Sequence, residues 1–210
     1  MSAQATAEVE RLWPQFGIDL DGRRVDLEQR FGPGVPVVLE IGSGLGEATA
    51  EMAAADPLTG ILAVDVHTPG IARLLARIES EDLRNVRVAH GDAMELVRDQ
   101  LAPESLAGVR VFFPDPWPKS AHRKRRLVRP DFVSLLATRL QPGGFIHLAT
   151  DWSDYAEQMV AVLDNEPRLE PDRACAAHRV AGRPVTKFER AGLEKGHRVS
   201  DVVYRRRSPL

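Results

Sequence analysis

The strongest constraint on the fold of this chain is a regular alternation of short apolar runs with helical patterns between residue 35 and about residue 163. The first run, Val35–Ile41, is rich in β-branched residues and ends in glycines, which is typical of a strand buried on both faces. Five predicted strands follow this rhythm: Val35–Ile41, Ile61–Val66, Asn85–His90, Val109–Phe113 and Gly144–Thr150. Strands that alternate with helices predict parallel βα units. The predicted fold class is therefore α/β, a doubly wound, Rossmann-like, mostly parallel sheet with its ligand crevice at the carboxyl ends of the strands.

The length of 210 residues allows one domain with a short appendage. We assign residues 1–34 to an irregular N-terminal arm and residues 35–210 to the α/β domain, which the segment VSDVVYRRR near the C-terminus could close with a hairpin. No apolar run approaches the ~18 residues of a membrane span, and the first residues do not resemble a secretory signal. Cys175 is the only cysteine, so no internal disulfide can form. These features predict a cytoplasmic protein with no membrane partner.

Three glycines follow the first predicted strand, in the segment Glu40-Ile-Gly-Ser-Gly-Leu-Gly46. Glycine lets a backbone turn sharply and approach a nucleotide-like ligand without a Cβ clash. Pyrophosphate-binding dinucleotide folds favour Gly-x-Gly-x-x-Gly, whereas these glycines are spaced as Gly-x-Gly-x-Gly. We interpret Gly42 and Gly44 as cofactor-binding residues, and an ordinary strand-to-helix turn is the alternative.

Acidic residues occur at or near the ends of the first three predicted strands, as Glu40, Asp65 and Asp92. Asp65 lies where an acid can accept hydrogen bonds from ribose hydroxyls, which NAD would also satisfy. Asp92 could bind an adenine amino group or could cap the following helix. Three acids around one pocket suit a ligand with a positive sulfonium and an amino group better than an anionic diphosphate. The pattern therefore favours S-adenosylmethionine as the cofactor.

A loop dense in proline and aromatic residues follows the fourth predicted strand and contains Pro114–Lys119, which reads PDPWPK. Prolines on both sides of Asp115 stiffen the loop, and this would aim the carboxylate of Asp115 into the crevice. An aromatic neighbour such as Trp117 could stack on a base. The alternative is a rigid surface turn.

A basic run begins at the end of this loop and contains no acid. Four of its members are predicted to bind RNA phosphates: Arg123, Lys124, Arg125 and Arg126. Charge is also divided along the chain, because residues 1–110 carry ten basic and eighteen acidic side chains while residues 111–210 carry eighteen and twelve. This asymmetry predicts a polyanionic partner, and a solvated basic face is the alternative.

Three sequence motifs, together with the features above, resemble those of the tRNA guanine-N7 methyltransferases. The resemblance extends from about Phe31 to Arg206. The motifs are PDPWPK with the basic run after it, TDW at Thr150–Trp152, and TKFE at Thr186–Glu189 followed by Gly196-His197. The resemblance implies a class I methyltransferase domain over residues 35–210, with a seven-stranded sheet whose seventh strand is antiparallel. It also implies methyl transfer from S-adenosylmethionine to N7 of a guanosine in the variable loop of tRNA (position 46), which forms 7-methylguanosine.

The same resemblance implies roles for individual residues. Glu40, Asp65 and Asp92 would contact S-adenosylmethionine, and Asp115 would be the catalytic acid. The residues implied to bind guanine or tRNA are Lys119, Asp151, Thr186, Lys187 and Glu189. In the last segment, Glu189 could accept a hydrogen bond from guanine, while Phe188 is expected to pack into the core.

Two other classes of protein account for fewer of these residues. A nicotinamide dehydrogenase would explain the glycines and Asp65 but not PDPWPK or the basic run. A catalytically idle RNA-binding module would explain the basic half but not the three-acid pocket. The histidines show no spacing of a metal site, so no metal is expected. We expect tRNA as the partner and no obligate protein partner, with a monomer and a homodimer both open.

Overall fold

A single eight-stranded sheet organises the chain in the computed structural model, which describes residues 3–172 and 182–208. Cys175 lies outside the described residues. The strands are β1 (Gly17–Ile18), β2 (Val37–Ile41), β3 (Gly60–Asp65), β4 (Val86–His90), β5 (Leu106–Phe112), β6 (Leu140–Thr150), β7 (Leu169–Pro171) and β8 (Ser200–Arg206). Their order across the sheet is β1-β4-β3-β2-β5-β6-β8-β7.

The strands from β1 to β6 are paired in parallel, whereas β8 is antiparallel to both of its neighbours, β6 and β7. From β2 the chain proceeds through β3 and β4 towards one edge, and it then returns to place β5 and β6 on the other side of β2. The connections therefore diverge between β2 and β5. A crevice opens at such a switch point, at the carboxyl ends of the two strands, and open α/β sheets bind their ligands there.

Helices cover both faces of the sheet. The α-helices are α1 (Ala3–Phe16), α2 (Leu27–Phe31), α3 (Glu47–Ala55), α4 (Thr68–Ser80), α5 (Ala93–Glu95), α6 (Pro130–Arg139), α7 (Ser153–Asp164) and α8 (Lys187–Glu194). A π-helical turn, Leu96–Gln100, continues α5, and Ser120–Arg125 forms a 3₁₀ helix. Within the described residues, no helix combines the length and the apolarity that a bilayer span requires.

Alternate residues of the central strands enter two separate cores. In β3, Ile61 and Ala63 pack with α1, α3 and α4, whereas Leu62 and Val64 pack on the opposite face with the residues of α6 and α7. Both faces of such a strand are buried, so its sequence is continuously apolar and does not alternate. This explains why short apolar runs located the central strands correctly, and the predicted doubly wound α/β fold is confirmed.

The prediction of an irregular N-terminal arm is wrong. The segment forms α1, β1 and α2, and the side chains of Leu12 and Phe16 from α1 are buried in one of the cores. Helix α1 contains Pro14, which has no N–H to donate, so local propensity alone disfavours it. Packing of its apolar face on α4 stabilises it instead.

The expected strand count of seven is also too small by one. The additional strand is β1, whose two residues pair in parallel with Val88 and Ala89 of β4. A pair of residues carries no periodicity that sequence analysis can detect. The expected antiparallel strand near the C-terminus is present as β8, which lies between β6 and β7.

Candidate active site

The glycine turn between β2 and α3 has an open face. Gly42, Gly44 and Gly46 all have positive φ angles, of 84°, 58° and 77°, which L side chains rarely adopt. A Cβ at Gly46 would lie 2.7 Å from a side-chain carbon of Leu74, so close packing requires that glycine. A Cβ at Gly42 or Gly44 would meet no atom within 4 Å. These two glycines therefore present bare backbone to open space, where a ligand can approach.

Unpartnered polar atoms are concentrated beside this turn. Within the described residues, Glu40 Oε2, Ser43 Oγ and Thr49 Oγ1 are buried and have no hydrogen-bond partner. Buried polar atoms nearly always have a partner, so this cluster suits polar groups of a ligand or ordered water. The donors and acceptors present here therefore fit a small polar cofactor.

Glu40 differs from the other two predicted acids because its side chain is almost fully buried, with 3% of the residue exposed. Burial raises the pKa of Glu40, and the nearby Thr49 hydroxyl and Arg110 guanidinium only partly oppose this effect. A negative charge on Glu40 is thus disfavoured. Charge complementarity to a cationic ligand must come mainly from the more accessible Asp65 and Asp92.

Asp65, at the end of β3, ties the glycine turn to the neighbouring strand. Its Oδ2 accepts a hydrogen bond of 2.7 Å from the backbone N–H of Gly44, and its Oδ1 accepts one of 2.8 Å from that of His67. Each carboxylate oxygen can accept a second hydrogen bond. Asp65 can therefore hold the turn and still receive hydroxyl donors from a ligand.

Asp92 stands at the end of β4 and caps helix α5. Its Oδ1 accepts a hydrogen bond of 2.7 Å from the backbone N–H of Met94, which is the capping geometry that the sequence left as an alternative. Its side chain is exposed, so the carboxylate is accessible to a ligand. The adjacent Gly91 donates its N–H to the carbonyl of Asp65 at 3.0 Å, so the two strand ends are in contact.

The PDPWPK loop leaves β5 in a strained conformation. Phe113 and Trp117, on either side of Pro114–Pro116, have positive φ angles of 52° and 41°. Non-glycine residues held in this region cost roughly 1–3 kcal/mol each and persist only where their surroundings fix them. Asp115 lies between them with an exposed side chain, and it has no hydrogen-bond or ion-pair partner among the residues described. The loop therefore presents a free carboxylate next to the glycine turn, because β5 and β2 are neighbours.

The basic run divides into an exposed and a buried part. Arg123, Lys124 and Arg125 are exposed on the 3₁₀ helix, as is Lys119 just before it. The guanidinium of Arg125 lies over the ring of Trp117, at 4.9 Å from its centroid. These four cations and the indole form a basic surface beside the loop that suits an RNA backbone.

Arg126 does not belong to that surface, and the prediction that it binds RNA phosphates is wrong. Only 1% of the residue is exposed. Its guanidinium donates to the carbonyl of Pro116, to the amide oxygen of Gln158 and to the carboxylate of Asp154. A side chain enclosed in this way cannot reach a phosphate.

Asp151 follows β6 and anchors the C-terminal segment. Its Oδ2 lies 2.9 Å from Nδ1 of His197. A Cβ on Gly192 would lie 2.7 Å from the same oxygen, so helix α8 packs closely against this carboxylate. Arg190, also on α8, has its Nη2 at 3.9 Å from Oε2 of Glu47, and Glu47 begins α3 after the glycine turn. Helix α8 thus lies across the carboxyl edge of the sheet, and TKFE folds back to the crevice as expected.

Within TKFE, the structure contradicts direct binding of guanine by Glu189. Only 2% of Glu189 is exposed, and its two carboxylate oxygens lie 2.6 and 3.0 Å from the guanidinium nitrogens of Arg183. Phe188 was expected in the core, but 64% of it is exposed. Lys187 is exposed beside it.

Thr186 begins α8 as its N-cap, and its hydroxyl accepts the N–H of Glu189 at 3.1 Å. The spacing of Thr186 and Glu189 is that of a capping box, a signal in the sequence that predicts the start of a helix. Reading this signal would have placed Glu189 in the first helical turn instead of on a strand edge.

Arg183 is a structural residue that sequence reasoning missed. Besides Glu189, its guanidinium binds both carboxylate oxygens of Asp201, at 2.8 and 3.1 Å, and Asp201 Oδ1 also lies 2.6 Å from Nε2 of His147. Burial alone would raise the pKa of Asp201, but the hydrogen bonds from His147 and Arg183 hold that pKa below its usual range. No motif signals this network, because its members come from β6, β8, α8 and the segment before α8.

Predicted site residues thus come together at the carboxyl edge of the sheet, at or just after the ends of β2, β3, β4, β5 and β6: Gly42, Gly44, Asp65, Asp92, Asp115 and Asp151. Within the described ranges, 3–172 and 182–208, no group of three or more His, Cys, Asp or Glu side chains could hold a metal ion.

Solved structures show the same fold. An aminoglycoside resistance methyltransferase, NpmB1, aligns with a TM-score of 0.57 at 14% identity, over 86% of this chain and 91% of that one. An rRNA methylase from Streptococcus thermophilus aligns with a TM-score of 0.55 at 13% identity, over 82% and 87% of the two chains. Such low identities establish the fold alone.

Sequence comparison identifies the family. Residues 35–202 match a family described as "putative methyltransferase". A tRNA (guanine-N(7)-)-methyltransferase of Streptomyces avermitilis is 55% identical over 99% of this chain and 72% of its own length. One from Nitrosospira multiformis is 50% identical over 94% and 86%. At these identities and lengths, with the motif residues gathered at one crevice, the chain belongs to the tRNA (guanine-N(7)-)-methyltransferase family.

Proposed function

We propose that this chain transfers a methyl group from S-adenosylmethionine to N7 of a guanosine in the variable loop of tRNA. The observation that carries the proposal is the free carboxylate of Asp115, on a strained loop that follows β5, the strand paired with β2, which leads into the open glycine turn. The family of the chain supports the reaction class, and the adjacent basic surface supports the substrate class. Because the substrate is tRNA, we assign the activity to the cytoplasm.

The residues around the glycine turn would hold the cofactor. S-adenosylmethionine, when bound, supplies an electrophilic methyl group carried on a positively charged sulfur. The bare backbone at Gly42 and Gly44 allows close approach, and Asp65 and Asp92 would accept hydrogen bonds from ribose hydroxyls and an amino group. The unpartnered oxygen of Glu40 would receive a polar group at the buried end of this site.

Asp115 would act on the guanine. Guanine N7 carries a lone pair and no proton at neutral pH, so its methylation requires no general base. The ring becomes positively charged as N7 is methylated, and its N1–H and amino group become stronger donors. A carboxylate that accepts these hydrogen bonds orients the base and stabilises the developing charge. The absence of a competing partner in the described residues leaves both oxygens of Asp115 available for this role.

The exposed cations beside the loop would bind the tRNA backbone. Lys119, Arg123, Lys124 and Arg125 lie on one short stretch between the loop and α6. Their contacts would position the tRNA without reading its sequence. Lys187 and the exposed ring of Phe188, both on α8, would add a further cation and an aromatic ring for contacts with tRNA.

The decisive experiment is transfer of labelled methyl groups from S-adenosylmethionine into an unmodified tRNA transcript, followed by nucleoside analysis. The expected product is 7-methylguanosine, and replacing the variable-loop guanosine by adenosine should abolish labelling. Label in a different nucleoside would overturn the proposed reaction. Binding of tRNA without any transfer would identify an RNA-binding module instead.

A further inference from the structure

Arg126 is a fully buried arginine at the base of the PDPWPK loop. None of its side chain is exposed, and its planar group lies over the ring of Tyr155, 4.6 Å from the centroid. Its Nε donates to the carbonyl of Pro116 at 2.8 Å, Nη1 to Oε1 of Gln158 at 2.6 Å and Nη2 to Oδ2 of Asp154 at 2.5 Å. Since Asp154 and Gln158 are on α7, the guanidinium joins the loop to a helix of the core.

The hydrogen bond to the carbonyl of Pro116 matters because the loop has few main-chain donors with which to stabilise its own conformation. Pro114, Pro116 and Pro118 have no N–H groups, so main-chain hydrogen bonds within the loop are largely precluded. The carbonyl that Arg126 binds lies between Asp115 and Trp117, and Trp117 has the left-handed φ of 41°. A strained residue keeps its conformation only when its surroundings hold it. Arg126 supplies that restraint from outside the loop.

We infer that Arg126 is a positioning residue for the methyl-transfer reaction, one that fixes the backbone beside Asp115 and so presents its carboxylate to guanine. This inference rests on the proposed role of Asp115. Only arginine suits the site, because one rigid fork reaches three acceptors in different directions at once. A lysine would keep the charge beside Asp154 but could not hold Pro116 and Gln158 in the same geometry.

The test compares Arg126→Lys with wild type in the intact protein, using unmodified tRNA. We expect kcat to fall at least tenfold, while the tRNA KM, the affinity for S-adenosylmethionine and the salt dependence of tRNA binding stay within about twofold. Arg139→Lys is the matched control, since Arg139 also donates to main-chain carbonyls, those of Val97 and Arg98, but far from the loop. Its kcat should remain that of wild type.

A double-mutant cycle separates positioning from a general loss of structure. If Arg126 acts through Asp115, Arg126→Lys should cost little further activity in an Asp115→Asn background, measured in single turnover with excess enzyme. A loss that persists unchanged in that background, or a wild-type kcat in Arg126→Lys, would overturn the inference. If Arg126→Lys does not fold, Asp154→Asn weakens the same anchor more gently, and its smaller loss should likewise vanish in the Asp115→Asn background.

The proposed function has its own separate readout. Formation of 7-methylguanosine by the wild-type protein and its loss in Asp115→Asn do not depend on Arg126. A wild-type rate in Asp115→Asn would remove the role of Asp115 and the positioning role together. If Asp115→Asn loses methyl transfer but Arg126→Lys keeps the wild-type rate, only the positioning role of Arg126 would be removed.

Discussion

The two sides of the crevice differ in how directly their motifs act. On the side of β2, β3 and β4, Gly42 and Gly44 face open space and Asp92 is exposed, and of the three predicted acids only Glu40 is almost fully buried. On the side of β5, β6 and α8, two charged motif residues, Arg126 and Glu189, are buried and bind other parts of the protein. A charged residue in a site motif can therefore stabilise the structure around the site instead of contacting a ligand.

Asp115→Ala should have the largest effect, and it tests whether the second side contains a residue that acts directly. Loss of a group that stabilises developing charge should lower kcat by about 100- to 1000-fold. The affinity for S-adenosylmethionine, measured by calorimetry, should remain that of wild type. Near-normal turnover would leave this side without a catalytic group.

Glu189→Gln tests whether Glu189 supports the fold and not the substrate. Removing the charge from a buried ion pair with Arg183 should lower the free energy of unfolding by about 3 kcal/mol, measured in denaturant. At a temperature well below the midpoint of unfolding, kcat and the tRNA KM should be unchanged. Glu157→Gln, at an exposed position of α7, is the control and should alter neither quantity. A raised tRNA KM with unchanged stability would return Glu189 to the substrate site.

Asp65→Asn tests the side of β2, β3 and β4. Asp65 stabilises the glycine turn and is also proposed to bind the cofactor. The amide cannot accept two backbone hydrogen bonds as the carboxylate does, and it carries no charge, so the affinity for S-adenosylmethionine should fall by about tenfold, or 1.4 kcal/mol. Calorimetric titration measures the loss, with Asp82→Asn as an exposed control. An unchanged dissociation constant would refute the assignment of Asp65 to the cofactor.

Replacing Arg123, Lys124 and Arg125 together by glutamine tests the exposed part of the basic run. If each side chain binds one phosphate, the slope of the logarithm of the tRNA binding constant against the logarithm of the salt concentration should flatten by about 2 units. This value uses the single-strand coefficient for each contact. Arg11, Arg84 and Arg98 offer an equal number of exposed arginines for a control triple variant, which should keep the parent slope. Coincident slopes for the two triple variants would show that the run is only a solvated face.

The smallest expected effect concerns acid stability of the buried network at Asp201. Its folded pKa is lowered by His147 and Arg183, so this carboxylate stabilises the protein above its unfolded pKa of about 3.9. That contribution is lost as the pH falls through the lower folded pKa. Unfolding measured between about pH 5 and pH 2 should therefore show a shallower pH dependence in Asp201→Asn than in wild type. An equal pH dependence in the two proteins would mean that folding does not shift the pKa of Asp201.

The sequence by itself determined the central strands, the glycine turn, the position of the crevice and the family. Those features depend on local signals, namely the length and composition of apolar runs, glycines where φ must be positive, and motifs of unusual proline and aromatic content. Helix α1 was missed because its stability comes from packing on α4 despite Pro14, and β1 because two residues carry no pattern.

Only the tertiary structure decided which charged residues contact solvent and which are enclosed. Arg125 and Arg126 are adjacent and chemically identical, yet one lies over Trp117 at the surface and the other is buried against α7. The partners that enclose Arg126 are 28 and 32 residues away in sequence, and Arg183 meets Asp201 at a separation of 18. Burial of a charge depends on such distant partners because its desolvation must be offset by several hydrogen bonds at once. No local pattern in the chain records where those partners will be.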